Sequence, residues 1–273
     1  MPSEDRHLER IFYCYIILSM RKPKKIIIGN WKMNPDTLEE AKKIWSAVKR
    51  SAKKVKNTNI IACPPFPYLN SLKSKEKNLF LGAQNVFFAK KGAFTGEVSA
   101  KMIRDSGASF VILGHSERRA MGETDEIISR KTETALAENL RPVVCVGEKE
   151  RKESGEHFNF LGNQIKNSLA KISKTSLGSI LMAYEPIYAI GKSFKDAMKP
   201  AEIRETAIFI KKILSDIYGP EEASLVPILY GGSVGSENAS DIIKEGGVDG
   251  LLVGRESLDI EQFPKLVAEV DNI

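Results

Sequence analysis

The chain has 273 residues, of which 42% are hydrophobic and 28% are charged. This composition is typical of a folded globular protein and excludes a disordered or fibrous chain. The formal net charge is +6 at pH 7, but the lysines are scattered along helical stretches without interleaved aromatic residues, so we predict no nucleic-acid binding. At this length one large domain is expected.

The three cysteines, Cys14, Cys63 and Cys145, lie far apart. They predict no disulfide framework, which indicates a reducing compartment and a cytoplasmic location. The apolar block at residues 11–18 is far shorter than the roughly 20 residues that span a bilayer, so we predict no membrane association. We expect residues 1–23 to be an N-terminal extension outside the fold.

From Lys25 onward, short apolar runs alternate with helical patterns. In the first helical pattern Asn34 suits the N-cap and Pro35 the first helical position, and apolar residues then recur at spacings of three and four. The apolar runs have the length and composition of buried parallel strands. Eight strands are predicted, at residues 26–28, 59–63, 79–83, 110–113, 142–146, 180–183, 226–230 and 250–253.

Eight strand and helix pairs over residues 24–273, with no low-complexity linker between them, predict a single-domain α/β fold, a closed (β/α)₈ barrel. A doubly wound open sheet is the alternative, but it usually has a glycine fingerprint after its first strand, and residues 29–32 do not match one. In a barrel the loops that follow the strands share one face. Polar residues at the strand exits should therefore converge.

Five polar residues stand at these exits, namely Asn30, Lys32, His115, Glu117 and Glu185. Taken alone, Glu185 suits a salt bridge or helix cap and His115 a structural role, and only their convergence favours catalysis. His115 precedes a helical turn, whose dipoles favour a neutral imidazole that can donate one hydrogen bond to a substrate oxygen. Glu185 can take a carbon-bound proton, and Lys32, held by Glu117, can stabilise an anionic oxygen. These roles predict an enolisation site.

Glycine-rich turns follow the seventh and eighth strands, at Gly231–Val234 and Gly254–Arg255. Barrels often bind phosphate at these two exits through backbone N–H groups. Either turn alone is a weak signal, whereas both together with Glu185 and His115 favour a phosphorylated substrate. No histidine or cysteine cluster has metal-ligand spacing, so we predict no metal and no other cofactor.

Five motifs, in this order along the chain, resemble the triosephosphate isomerase family. They are GNWKMN at 29–34, LGHSERR at 113–119, AYEP at 183–186, AIG at 189–191 and YGGSV at 230–234. The resemblance runs from about residue 24 to the C-terminus and implies a (β/α)₈ TIM barrel that interconverts dihydroxyacetone phosphate and D-glyceraldehyde 3-phosphate in glycolysis and gluconeogenesis. It also implies a homodimer in which Thr95 and Glu97 contact the neighbouring subunit.

By this resemblance Glu185 is the base, His115 the electrophile, and Lys32 with Asn30 stabilises the enediolate. The substrate phosphate would be bound by a set of four residues, namely Gly191, Ser233, Gly254 and Arg255. A lid would begin with five residues, Pro186, Ile187, Tyr188, Ala189 and Ile190, and its closure would exclude water.

The chain departs from the family pattern in the lid and at the phosphate turn. Tyr188 replaces the usual Trp, residues 192–196 differ from the usual lid sequence, and Arg255 replaces a common Gly. Two other functions stay open at this point. One is a Schiff-base aldolase with Lys32 as its nucleophile. The other is a phosphate-binding protein on the same barrel that does no catalysis.

Overall fold

A computed structural model of the chain describes residues 24–151, 154–189 and 197–273. Within them eight parallel strands close into a barrel, each pairing with the next and β8 with β1. The strands are β1 (Lys25–Asn30), β2 (Thr58–Cys63), β3 (Leu79–Ala83), β4 (Phe110–Leu113), β5 (Arg141–Val146), β6 (Leu181–Tyr184), β7 (Ile228–Tyr230) and β8 (Gly250–Val253). The predicted fold class is confirmed. Residues 1–23 lie outside the described residues, so the prediction made for them stays a prediction.

Helices follow the strands and surround the barrel. Those described are α1 (Leu38–Lys54), α2 (Phe66–Leu69), α3 (Ala100–Asp105), α4 (Ser116–Ala120), α5 (Asp125–Ala137), α6 (Glu156–Ser168), α7 (Pro200–Tyr218), α8 (Pro220–Ser224), α9 (Ala239–Lys244) and α10 (Gln262–Asp271). In the described ranges, short 3₁₀ turns cover Lys174–Ser179, Ile187–Ala189 and Arg255–Leu258. No helix in the described part of the chain is both long and apolar enough to span a membrane.

The strands are buried on both faces, which explains their unbroken apolar sequences. In β1, Ile26 and Ile28 belong to a cluster inside the barrel with residues such as Phe110, while Ile27 belongs to the larger cluster that includes the helix residue Trp45. This alternation follows from the two-residue period of a strand. Each strand therefore contributes to both hydrophobic layers.

Helix α1 begins later than its sequence predicted. Its N-cap is Thr37, whose side chain accepts a hydrogen bond from the backbone N–H of Glu40 at 3.2 Å. The prediction of Asn34 as N-cap and Pro35 as the first helical residue was wrong. The Asn34 side chain instead donates to the carbonyl of Trp31, and the Pro35 carbonyl accepts from the Tyr68 hydroxyl at 2.9 Å.

Two glycines allow the packing of the barrel to be tested. A Cβ on Gly250 would lie 1.9 Å from the carbonyl oxygen of Ile26 on the neighbouring strand, so we expect Gly250→Ala to lower the free energy of unfolding by about 3 kcal/mol. Gly162 lies inside α6 with ordinary contacts of 3.5 Å or more, and Gly162→Ala should leave stability equal or slightly higher. Urea unfolding measures both. Equal stabilities of the two variants would contradict the described pairing of β1 with β8.

Candidate active site

A cavity of about 310 Å³ opens at the carboxyl ends of the strands. Its lining includes seven residues predicted from the strand exits and the glycine turns, namely Asn30, Lys32, His115, Glu185, Ser233, Gly254 and Arg255. These residues come from five different strand exits, and the closed barrel brings them together across more than 200 residues of sequence. No group of His, Cys, Asp or Glu side chains within the described ranges could hold a metal ion.

Glu185 and His115 are in direct contact in this cavity. Glu185 follows β6, and its backbone N–H continues the pairing with β5 through a 2.8 Å hydrogen bond to the Val146 carbonyl. One carboxylate oxygen lies 3.1 Å from Nε2 of His115, and the other accepts from the backbone N–H of Ser116 at 3.2 Å. Glu185 is 3% exposed and His115 is 6% exposed. The acid and the imidazole thus share a site that is nearly closed to water.

His115 lies at the N-cap of α4, where two influences on its ring oppose each other. Nδ1 accepts from the backbone N–H of Glu117 at 3.2 Å, which requires a ring without a proton on Nδ1 and leaves the proton on Nε2, facing Glu185. Burial lowers the pKa of His115, but the carboxylates of Glu185 and Glu117 raise it, and the net shift is upward. The helical turn after His115 favours a neutral ring, as predicted from the sequence, but the charge of the adjacent Glu185 raises the pKa of the ring and acts in the opposite direction.

The backbone of Lys32 is held by Asn30, and its side chain is held by Glu117. Its backbone has a positive φ of 54°, and its N–H donates to the side-chain oxygen of Asn30 at 3.1 Å. Its ammonium lies 2.6 Å from Glu117, as the sequence argument expected. The left-handed backbone is uncommon for a residue with a side chain, and it turns Lys32 back over the barrel end. Asn30, Glu117 and Lys32 therefore form one connected group.

Sequence reasoning missed two residues that support the site from outside the cavity lining. The side-chain amide of Gln84 donates to the carbonyl of Lys32 at 2.7 Å and to that of Cys63 at 2.8 Å, which braces the left-handed residue. Gln84 follows β3 directly, so the strand-exit signal that found Asn30 also applies to it. Cys145 is fully buried in β5 beside Glu185, and burial followed by the nearby carboxylate raises the pKa of its thiol. No sequence pattern distinguishes this cysteine from an ordinary core residue.

Three of the predicted phosphate residues, Ser233, Gly254 and Arg255, line the same cavity. Ser233 is 8% exposed, and its hydroxyl donates to the carbonyl of Ala189 at 2.9 Å. Gly254 and Arg255 begin the 3₁₀ turn that follows β8. The cavity also contains Glu256, which sequence reasoning missed. Burial, Glu237 and Asp259 raise the pKa of Glu256, while Arg255 lowers it.

The predicted lid residues are described as far as Ala189. The N–H of Ile187 donates to the carbonyl of Glu148 at 2.9 Å, and the N–H of Ala189 donates to the carbonyl of Pro186 at the same distance. Tyr188 is half-buried against the core. Ile190 and Gly191 lie outside the described residues.

Thr95 and Glu97, predicted to contact a neighbouring subunit, lie apart from the cavity lining. Both are exposed in the loop between β3 and α3. The same loop carries Phe94, whose ring packs on that of Phe87 with centroids 4.7 Å apart while remaining 44% exposed. The loop is therefore ordered by its own aromatic contacts.

The contact between the buried acid and the imidazole predicts a change in titration. Glu185→Gln removes a charge that raises the pKa of His115 and keeps the burial that lowers it, so the pKa of His115 should fall. The chain has three histidines, which allows the ring signal to be assigned and followed by NMR. Glu117→Gln, which removes a lesser contribution, should lower the pKa less. An unchanged pKa in Glu185→Gln would contradict the contact.

The sequence profile of the triosephosphate isomerase family matches residues 25–270. The triosephosphate isomerase of Endomicrobium trichonymphae is 46% identical over 253 residues, which are 91% of this chain and 98% of that protein. Those of Dehalococcoides mccartyi and Carboxydothermus hydrogenoformans are each 42% identical over 91% of this chain and 98% of their own length. The chain belongs to the triosephosphate isomerase family.

Proposed function

We propose that this chain interconverts dihydroxyacetone phosphate and D-glyceraldehyde 3-phosphate through an enediolate. The observation that carries the proposal is the buried contact between Glu185 and Nε2 of His115 at 3.1 Å, with Lys32 lining the same cavity. A base, a hydrogen-bond donor and a fixed positive charge are the three groups that moving a proton next to a carbonyl requires. The shared family supports the same reaction.

Glu185 is the base that carries the proton between the two substrate carbons. Its oxygens are hydrogen-bonded to Ser116 and His115, so the substrate carbons must enter between the carboxylate and the imidazole. This separation removes the contact that raises the pKa of His115. Burial and the Glu117 N–H then favour a neutral ring, which donates Nε2–H to the substrate oxygen.

Lys32 and Asn30 stabilise the negative charge that develops on the enediolate oxygens. Glu117 holds the lysine from the solvent side, with 31% of the Lys32 side chain and 52% of the Glu117 side chain exposed. The ammonium is thereby fixed before negative charge develops on the enediolate oxygens. A charge that is already in position lowers the reaction barrier most, because it need not reorganise during the reaction. This ion pair also disfavours the aldolase alternative, because a Schiff base needs a lysine nitrogen free to attack a carbonyl.

The phosphate group is bound by Ser233, Gly254 and Arg255, together with Gly191 of the lid. The first three line the cavity, and the arginine adds a positive charge where only backbone donors were expected. The carboxylate of Glu256 lies in the same cavity and opposes a dianion, so Arg255 balances it. The assignments of Gly191 and Ile190 rest on the resemblance alone.

The lid comprises residues 186–196, of which Pro186–Ala189 are described. The Ala189 carbonyl accepts from Ser233, which links the start of the lid to the phosphate end. Closure over bound substrate excludes water and protects the enediolate from losing phosphate.

Proton exchange with solvent tests this function directly. The chain should incorporate deuterium from D₂O into dihydroxyacetone phosphate, and Glu185→Asp, which withdraws the carboxylate by about one methylene, should lower kcat by roughly 10²-fold. Glu221→Asp on the exposed surface of α8 is the control and should keep the wild-type rate. Phosphate binding without deuterium exchange would show the non-catalytic function. Covalent trapping of Lys32 by borohydride with a ketose phosphate would show the aldolase.

A homodimer in the cytoplasm, acting in glycolysis and gluconeogenesis, completes the proposal. The exposed large apolar side chains include Phe94, 44% exposed in the loop that carries Thr95 and Glu97, Met102, 60% exposed in the helix that follows this loop, and Met33, 92% exposed after β1. Single exposed apolar residues are ordinary, but a contiguous group of them is typical of a protein interface. Since Met33 follows Lys32, a partner that covers this surface would also support the active site.

Sedimentation equilibrium tests the dimer. The wild type should have twice the 30.3 kDa mass of the chain. Phe94→Ser should weaken the association by about tenfold or more, because it removes an aromatic contact from the proposed interface. Phe160→Ser is the matched control, since Phe160 is 50% exposed on α6. A monomeric wild type, or equal association of the two variants, would contradict the interface.

A further inference from the structure

Arg119, on α4, connects four parts of the chain next to the active site. Its Nε donates to the carbonyl of Gly114 at 2.8 Å, and its Nη2 donates to the carbonyl of Cys145 at 3.1 Å. Nη2 also donates to the Ser168 hydroxyl at 3.2 Å, and Nη1 forms an ion pair with Asp125. The Arg119 side chain is only 14% exposed. Because a guanidinium presents its donors in a rigid fork, these contacts fix its position.

The two carbonyls lie where the pairing between β4 and β5 ends. Leu113 and Val144 are the last paired residues of these strands, and Gly114 and Cys145 follow them directly. By bonding to both carbonyls, Arg119 extends the connection between the two strands beyond their own ladder of hydrogen bonds.

The next residue along each strand leads to the contact between His115 and Glu185. His115 follows Gly114, and Val146, which follows Cys145, accepts the 2.8 Å hydrogen bond from the backbone N–H of Glu185. The imidazole and the carboxylate are 3.1 Å apart. A change in the spacing of the two strand ends would therefore change the distance between these two groups.

Gly114 is the point at which this spacing changes most easily. Its backbone is left-handed, with a φ of 67°, a conformation that glycine both adopts and leaves readily. A Cβ at this position would lie 3.1 Å from Nη2 of Arg119. The guanidinium thus packs on the glycine as well as bonding to its carbonyl, and both contacts restrain the turn into His115.

We infer that Arg119 is a positioning residue, which holds the ends of β4 and β5 together and thereby keeps His115 in contact with Glu185. This inference rests on the proposed function. Among the described residues, Arg119 is not part of the cavity lining, so it acts on a substrate only through the residues it positions. Its loss should therefore lower kcat more than it changes KM.

Kinetics and urea unfolding of two variants test the inference. Arg119→Met should lower kcat by roughly tenfold, the effect of losing about one charge-assisted hydrogen bond, and should change KM by less than about twofold. It should also lower stability, because the Asp125 carboxylate loses its partner. Arg119→Lys keeps the charge beside Asp125 but lacks the fork that reaches both carbonyls, so it should regain stability more than kcat.

Two kinetic results would overturn the inference. One is a wild-type kcat in Arg119→Met, and the other is a kcat in Arg119→Lys that recovers in proportion to its stability. Should Arg119→Met fail to fold, Arg119→Lys alone supplies the kcat and the stability on which the inference depends.

Lys211→Met is the matched control. The ammonium of Lys211, on α7, also donates to backbone carbonyls, those of Ala223 at 2.9 Å and of Val226. Val226 precedes β7, so these contacts lie at the amino end of the barrel, away from the cavity. Lys211→Met should lower stability and leave kcat unchanged. A loss of kcat equal to that of Arg119→Met would show a general effect of destabilisation and would overturn the inference.

The pKa of His115, followed by NMR, gives a readout that does not depend on activity. Burial lowers this pKa and the contact with Glu185 raises it. Arg119→Lys keeps the positive charge, so a looser contact should lower the pKa of His115, whereas Lys211→Met should leave it at the wild-type value. If the wild type fails to isomerise, the proposed function falls, and this pKa still decides the role of Arg119. An unchanged pKa in Arg119→Lys would overturn that role.

Discussion

Parallel strands in a closed sheet have all their carboxyl ends on one side, so the residue after each strand must emerge at the same end of the barrel. This constraint brings Asn30, His115, Glu185 and Ser233 around one cavity although no short stretch of chain connects them. Backbone segments are accordingly packed closely together where the strands end at the cavity. A Cβ on Gly147, at the exit of β5, would lie 1.9 Å from the Glu185 carbonyl oxygen. The acid is held by its backbone as much as by its side-chain partners.

The electrostatics of the site follow from burial. A carboxylate that is 3% exposed needs partners, and Glu185 obtains them from His115 and the Ser116 N–H. The same contact raises the pKa of His115 against the effect of burial. In the proposed mechanism a substrate separates the two groups and so reverses this balance. The contact between the two groups and the protonation state that the proposed reaction needs are therefore two different arrangements of the same residues.

This chain differs from the family pattern mainly in the predicted lid and in the turn that follows β8. Arg255 and Glu256 bring opposite charges to the cavity lining after β8, so the local charge there depends on both side chains. Tyr188 stands where Trp is usual, and it is half-buried against the hydrophobic core.

The sequence alone determined the barrel and predicted seven of the residues that line its cavity, because eight buried strands have unbroken apolar runs and the residues after them share one face. It failed at the start of α1, where Thr37 replaces Asn34 as the cap, because several polar residues compete there and only the chain path decides between them. The partners of Gln84 and Cys145 also depended on tertiary structure, although the sequence shows that Gln84 follows β3. Each of these acts through a partner that is distant in sequence, and side-chain proximity between distant segments leaves no periodic pattern to read. The closure of the barrel decides which of these distant side chains come into contact.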